Sequence, residues 1–376
     1  MKQILLILDH EENRRLLAQW LEPHYRVLAG DAQVLLADNF DLCILDATAL
    51  NRLWQQVESR KARERPLFLP FLVVISQRHG HLITGLRRQC VDELIASPVE
   101  KMELVVRLDN LLHIRQLSLE LEAVNTRLHK NLQRMKDDES GGRHLQFQLL
   151  PENHKHIGPY EFSHRLITSA YLSGDFVDYF SIDNRHLGFY MADVSGHGVS
   201  SAFVTVLLKS YMARYLEDHR EGRDSAILRP GEILDRLNHK LLGGHLDKYM
   251  TMFFGVLGLD DNRLRYSQGG QFPFPILFDG TRADFVGIKS LPVGLFEFAS
   301  YDTVELQLPP GFIMALISDG ILEVLPQPRL RDKLGFLLSL ISNDSTTIAA
   351  LVRELALTQE NSLPDDITFL MIQKRS

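Results

Sequence analysis

Cysteine is nearly missing from this chain: 376 residues contain two, Cys43 and Cys90. Both lie in apolar surroundings and share no metal-ligand spacing. That argues against a disulfide framework or a zinc site and for buried, reduced thiols. Long apolar runs are missing too. The run in MKQILLILDH ends at Asp9, too short for a signal-peptide core, and no other run approaches membrane-spanning length. A cytoplasmic protein with no membrane contact is the expectation. There is no excess of positive charge: 41 Lys and Arg face 48 Asp and Glu, a net charge of −7. Nor is there a helix-turn-helix candidate with a basic face, so nucleic acid is not an expected partner. Internal repeats and low-complexity segments are also absent. What remains, 45% apolar and 24% charged residues, is the composition of a globular chain long enough for two cores.

The first hundred residues alternate apolar runs with helical patterns. QILLIL, YRVLA, FDLCILD, FLPFLVVIS and DELIAS read as strands, and the helical stretches between them imply a parallel sheet covered on both faces. Such a doubly wound domain carries its functional groups at the carboxyl ends of its strands. From about 103 to 136 one helix free of proline and glycine is expected. Leu111, Ile114, Ser118, Leu121, Asn125, Leu128, Leu132 and Met135 follow a 3-4 spacing. That supports a dimeric coiled coil with Asn125 inward; the alternative is an amphipathic helix lying along its own domain. DDESGG (137–142) reads as a hinge ending the helix. Beyond 145 strands dominate and helices come in blocks, which fits a sheet sandwich flanked by helices. Within it LGLDDNRLRY reads as a hairpin, and PGEILDRLNHKLL as a helix with proline in its first turn.

Carboxylates recur where this second region ends a strand or turns on glycine: Asp175 and Asp178 in SGDFVDYF, Asp193 in MADVSGHG, Asp319 in ALISDGILE, and Asp365 and Asp366 in LPDDITFL. Each has a bland explanation as a turn residue or N-cap. Together, beside strands expected to be buried, they would repel one another unless a cation lay between them. The donors are all oxygen with only His197 nearby, which suits Mg²⁺ or Mn²⁺ and not Zn²⁺. Two such ions could hold a bridging water and offset phosphoryl charge. Asp193 as a bridging ligand would explain the bare glycines that follow it.

QFQLLPE, SGDFVDYF, MADVSGHGVSSAF, YMTMFFGVLGLDDNRLRYSQGG, LPVGLF, ISDG and DDITFLMI stand in the order seen in bacterial PP2C-like (PPM) serine phosphatases. Over 145–376 the chain resembles the subfamily that dephosphorylates anti-anti-sigma factors. The resemblance implies a β-sandwich between helices, with Asp193 the bridging metal ligand beside the carbonyl of Val194. Asp175, Asp319 and Asp365 match the remaining acidic positions, and Mn²⁺ or Mg²⁺, as two ions, is the implied cofactor. The reaction implied is direct attack of metal-activated water on phosphoserine or phosphothreonine. Two departures stand out: Ser173-Gly174 where a glycine pair is usual, and Gly269-Gly270-Gln271 where Ala-Gly-His is usual.

Residues 1–103 resemble a two-component receiver, with Asp46 in the phosphoacceptor place and Ser76 in that of the switch hydroxyl. Asp9 and Glu11 stand for its acidic pair, with His10 where the second acid is expected. Ser97 occupies the lysine position, and Lys101 comes four residues late. Loss of that cation beside a dianion weakens phosphotransfer, so Asp46 is either a phosphorylation site or a remnant in a domain that works by binding. The expected architecture is therefore an α/β multidomain chain. It has a flavodoxin-like receiver domain (1–103), a helical, coiled-coil linker (104–144) and an α+β PP2C-like sandwich (145–376). Its expected function is phosphoserine hydrolysis on a regulator of the anti-anti-sigma type, gated by the receiver. A histidine kinase or other receiver-binding protein would act upstream, with a homodimer formed through the linker. The alternative is a non-catalytic adaptor or scaffold that binds a sigma factor or its regulator.

Overall fold

Apolar runs bounded by polar turns become strands in the computed structural model, which describes residues 1–76, 90–244, 246–342, 346–357 and 363–374. The chain falls into two units, Met1–Arg134 and Met135–Ser376.

The first unit begins β1 (Gln3–Ile7), α1 (Glu11–Leu21), β2 (Arg26–Ala29), α2 (Ala32–Ala37), β3 (Leu42–Asp46) and α3 (Ala47–Glu64). It continues with β4 (Phe71–Ser76), β5 (Glu93–Ser97) and α4 (Lys101–Gln148). Its sheet runs β2-β1-β3-β4-β5 with every described pair parallel, the doubly wound arrangement the alternation implies. Cys43 and Cys90 are free and buried. One face of the sheet packs on α3, through Leu50, Leu53 and Val57. The other is covered by Leu104, Leu108, Leu111 and Leu112 of α4, at the spacing of a single helix face.

Two expectations about α4 need correction. DDESGG does not end the helix, which runs unbroken from Lys101 to Gln148. Two glycines cost a helix about 1 kcal/mol each, but the last turn is held by the buried Gln146, which bonds Ser173 and Thr205. The 3-4 stripe is also not free at its start. Leu111 is buried and Ser118 accepts a hydrogen bond from the Phe68 N–H, so both serve their own unit. Leu121, Leu128, Leu132 and Met135 are exposed.

The second unit continues β6 (His154–Ile157), β7 (Tyr160–Ile167), β8 (Asp175–Ser181), β9 (His186–Val194), α5 (Val199–Arg220) and α6 (Pro230–Gly243). Then come β10 (Met250–Gly258), β11 (Arg263–Gly269), β12 (Ile276–Phe278), β13 (Ala283–Phe285), β14 (Val304–Gln307) and β15 (Phe312–Ile317). It closes with α7 (Gly320–Val324), α8 (Leu330–Leu340), α9 (Ile348–Glu354) and β16 (Ile367–Lys374). Two antiparallel sheets form, β14-β11-β10-β9-β8 and β13-β12-β15-β16-β7-β6. Alternation along the strands sends Phe162, Phe189, Phe253, Phe312 and Leu370 between the sheets. Residues of opposite parity pack outward, Phe254 and Tyr190 under α5 and α6, Ile313 and Met371 under α7 to α9. The β10–β11 turn carries Asn262 at φ 56°, a left-handed position asparagine tolerates, and Pro230 opens α6 as expected.

Candidate active site

Strand register and strand ends gather five of the six predicted carboxylates at one end of the sandwich. Asp175 opens β8 and is the cross-strand partner of Asp193 near the end of β9. Asp319 follows β15 after Ser318, and Asp365 and Asp366 directly precede its neighbour β16, whose Phe369 pairs with Ile317. The sheets are tied there by Thr368, whose hydroxyl donates to Asp175 Oδ2 at 2.6 Å.

Helix capping does not account for Asp193 or Asp319. Asp193 is not an N-cap, because α5 begins after Gly198. Asp319 stands at the N-cap position of α7 but makes no side-chain capping bond. Asp175 is 2% exposed, and burial, then the Asp193 charge, pushes its carboxyl well above the usual range. Burial, then Asp319, Asp365 and Asp366, pushes Asp193 up to about 7. Asp319 is raised by burial, then by Asp365. These groups feel one another's charge, as a shared cation site requires.

The bare loop after Asp193 has a geometric cause. A Cβ on Gly174 would lie 2.7 Å from the Val194 carbonyl oxygen and 3.1 Å from that of Gly196. Gly196 and Gly198 hold φ of 76° and 84°, conformations that favour glycine. The Ser195 carbonyl is taken on another side, accepting from Lys248 Nζ at 2.7 Å, while the Ser195 N–H donates to the Tyr249 carbonyl.

Asp365 and Asp366, alike in sequence, differ here. Asp366 is 5% exposed and accepts from Ser169 N (2.7 Å), Ser169 Oγ (2.9 Å), Ser173 Oγ (2.6 Å) and Gly174 N (3.0 Å). It organises the loop that carries Asp175. Asp365 is exposed and accepts only the Asp366 N–H among the bonds described. Asp178 lies apart, paired with Lys209 of α5 at 2.6 Å. Gln271, in the place of the usual histidine, is 3% exposed; its Nε2 reaches the Ile317 carbonyl and its Oε1 has no partner among the described residues. The roles of Asp366, Gln146 and Lys248 were missed in the sequence. Gln146 inside QFQLLPE and Asp366 inside DDITFLMI lay in motifs that could have flagged them; Lys248 lay outside every motif.

A second acidic group lies at the carboxyl ends of β1 and β3. Asp46 caps α3, Oδ1 accepting from Ala49 N and Oδ2 from Asp9 N, both at 2.7 Å. The Asp9 carboxylate pairs with Arg52 at 2.5 Å. Glu11 lies in the first turn of α1 and joins none of these bonds. Ser76 ends β4 opposite Ser97. Asp9, Asn13, Asp46 and Ser97 line a cavity of about 420 Å³, and Lys101 lines an adjoining one with Asp46.

The donors at the sandwich end are oxygen throughout and suit a hard divalent cation. As the side chains stand, no three His, Cys, Asp or Glu groups close on a common point among the described residues. No described helix is long and apolar enough to cross a membrane.

A family model described as Stage II sporulation protein E (SpoIIE) matches residues 183–375. The phosphoserine phosphatase RsbP of Bacillus subtilis (strain 168) is 28% identical over 160 residues, 41% of this chain and 38% of that protein. Protein IcfG of Synechocystis is 22% identical over 200 residues, 48% of this chain and 32% of that one. The chain thus spans under two fifths of either relative. Among solved structures, the SiaA PP2C domain of Pseudomonas aeruginosa superposes with a TM-score of 0.52 at 19% identity. It covers 65% of this chain and 99% of that one, a likeness of fold.

Proposed function

Because the chain belongs to the SpoIIE family, we propose that it is a metal-dependent protein serine/threonine phosphatase of the PP2C type. The observation that carries this reading is the facing pair Asp175 and Asp193, with Asp319 and Asp365 close enough to raise the protonation of Asp193. Asp175, Asp193, Asp319, Asp365 and the Val194 carbonyl would hold Mn²⁺ or Mg²⁺, as two ions, Asp193 bridging them. When bound, such cations supply an acidified water and offset charge on the phosphoryl group. The chain does the positioning. Thr368 orients Asp175, Asp366 fixes the loop before it, and Gly174 lets the Val194 carbonyl approach. Uptake of the ions would be coupled to rotation of the carboxylates, since they do not yet close on one point.

The substrate in this reading is a phosphoserine-bearing regulatory protein, which the phosphoserine phosphatase RsbP supports as a relative. Anti-anti-sigma type follows from the motif resemblance. Residues 1–103 act as a receiver-like regulator, 104–144 as a dimerising linker and 145–376 as the phosphatase. In the regulator, Arg52 occupies Asp9 and backbone N–H groups occupy both oxygens of Asp46. That supports regulation by binding over phosphorylation. If Asp46→Ala changes activity under a phosphodonor, phosphorylation returns to the account.

A second reading, the non-catalytic adaptor, is favoured by the open carboxylate arrangement and by Gln271. Phosphate release from p-nitrophenyl phosphate by the full chain, with and without Mn²⁺, separates the two. Metal-dependent turnover that disappears in Asp193→Ala supports the enzyme; no turnover by the wild type supports the adaptor.

A further inference from the structure

Arg143, in the last turns of α4, breaks a local rule. Glu139 stands one helical turn before it, where an i,i+4 pair would be favourable. The described ion pairs do not include one between them. The guanidinium instead lies 5.1 Å from the centroid of the Phe147 ring. There it borders a cleft of about 280 Å³ lined also by Thr168, Ser169, Ala170 and Tyr171. No carboxylate takes it up among the described residues, although the nearby loop is anchored by one. A half-buried guanidinium over an aromatic ring, with no anion beside it among the described residues, is open to one that arrives from outside.

The cleft lies beside the carboxylate site. Thr168 and Ser169 continue β7 past its last pair with β16, Ile167 with Ile367. Ser169 gives both its N–H and its hydroxyl to Asp366 Oδ1, next to Asp365. The Ser169 hydroxyl is thereby spent as a donor, which leaves those of Thr168 and of Tyr171, 41% exposed at the rim. An anion in this cleft therefore meets the Arg143 guanidinium on one wall and the Thr168 and Tyr171 hydroxyls on another, close to Asp366 and so to the proposed metal ligand beside it.

Resting on the phosphatase reading, we infer that Arg143 and this cleft bind an oxyanion of the phosphoprotein substrate. The source is either the phosphoryl group itself or an acidic side chain flanking the phosphoserine. Guanidinium suits either because it can offer two parallel N–H donors to carboxylate or phosphate.

The test uses the full chain, its Arg143→Ala variant, and Arg143→Gln, which keeps a polar stem without charge. Three probes are titrated by equilibrium binding: inorganic phosphate, and synthetic phosphoserine peptides with acidic or with alanine flanks. Loss of a charge-assisted contact should weaken binding by about 10-fold or more in both variants. Equal weakening of all three probes assigns the phosphoryl group; weakening of the acidic-flanked peptide alone assigns the flank. Unchanged affinity for every probe overturns the inference, as does wild-type affinity in Arg143→Gln, which would exclude the charge as the source. Kinetics add a second readout: flank recognition raises KM on the acidic peptide and leaves kcat on p-nitrophenyl phosphate intact. Should the wild type lack Mn²⁺-dependent turnover, the phosphatase reading fails, while peptide binding still decides Arg143.

Discussion

Alanine at Asp366 and alanine at Asp365 should have opposite consequences, although the residues are neighbours of one type. Asp366 is buried and takes four hydrogen bonds, two from backbone N–H groups and two from hydroxyls. A hydrogen bond to a charged acceptor is worth about 1.5–3 kcal/mol, but bonds sharing one loop do not add, and water can reach some of the freed donors. We expect Asp366→Ala to cost about 3–5 kcal/mol. At about 2–4 °C per kcal/mol for a unit of this size, the midpoint of the second unit's transition falls by roughly 10 °C. Asp365 is exposed and holds one local bond, so Asp365→Ala should stay within about 1 kcal/mol of wild type. It should nevertheless weaken Mn²⁺ binding. Thermal unfolding of the full chain followed by circular dichroism, beside Mn²⁺ calorimetry, reads both effects. Equal destabilisation by the two variants, or less than about 1 kcal/mol for Asp366→Ala, would refute the division of labour between them.

Three further outcomes follow from particular contacts. His164 is 5% exposed, bonds Tyr179 at 3.0 Å, and burial holds its imidazole down to about 4. The unfolded chain binds that proton more readily, so stability present above the unfolded value near 6.5 is lost as pH falls toward 4. This amounts to about 2 kcal/mol between pH 7 and pH 5. Urea unfolding of His164→Gln should show a flatter pH slope than wild type, and an equal slope would contradict the assignment. Lys248→Met removes the bonds to the Ser195 carbonyl and Ser201 hydroxyl while keeping the stem. Mn²⁺ affinity should fall about 10-fold, as for other groups that orient a metal's ligands, with calorimetry as the readout; wild-type affinity would remove Lys248 from the site. Glutamate at both Leu121 and Leu128, exposed on the 3-4 stripe of α4, should convert a dimer to a monomer in sedimentation. Unchanged mass would mean the stripe is not the interface.

Local patterns carried most of the fold into view. Apolar runs with turn residues between them placed the parallel sheet of the first unit and the flanked sandwich of the second, and Pro230 and Asn262 sit where turn and helix chemistry put them. The ordered acidic motifs identified the family, and register brings Asp175 opposite Asp193. What stayed hidden depends on distant contacts. Asp366 reaches Ser173, 193 residues earlier, and no local signal separates it from Asp365. The helix continues through Gly141 and Gly142 into a turn where Gln146 bonds Ser173 and Thr205, a gain that propensity does not include. Leu111 and Ser118 fit the heptad by spacing, yet their own unit had already claimed them, because spacing does not say which surface a helix face meets.

The central claim is that the carboxylates at the end of the sandwich form one hard-cation site. Calorimetric titration of Mn²⁺ into the full chain, beside Asp193→Ala, tests it most directly. The account predicts saturable binding by the wild type, weakened by about 100-fold or abolished in the variant, since a bridging ligand serves both ions. No heat from the wild type, or the same affinity in both proteins, would contradict it.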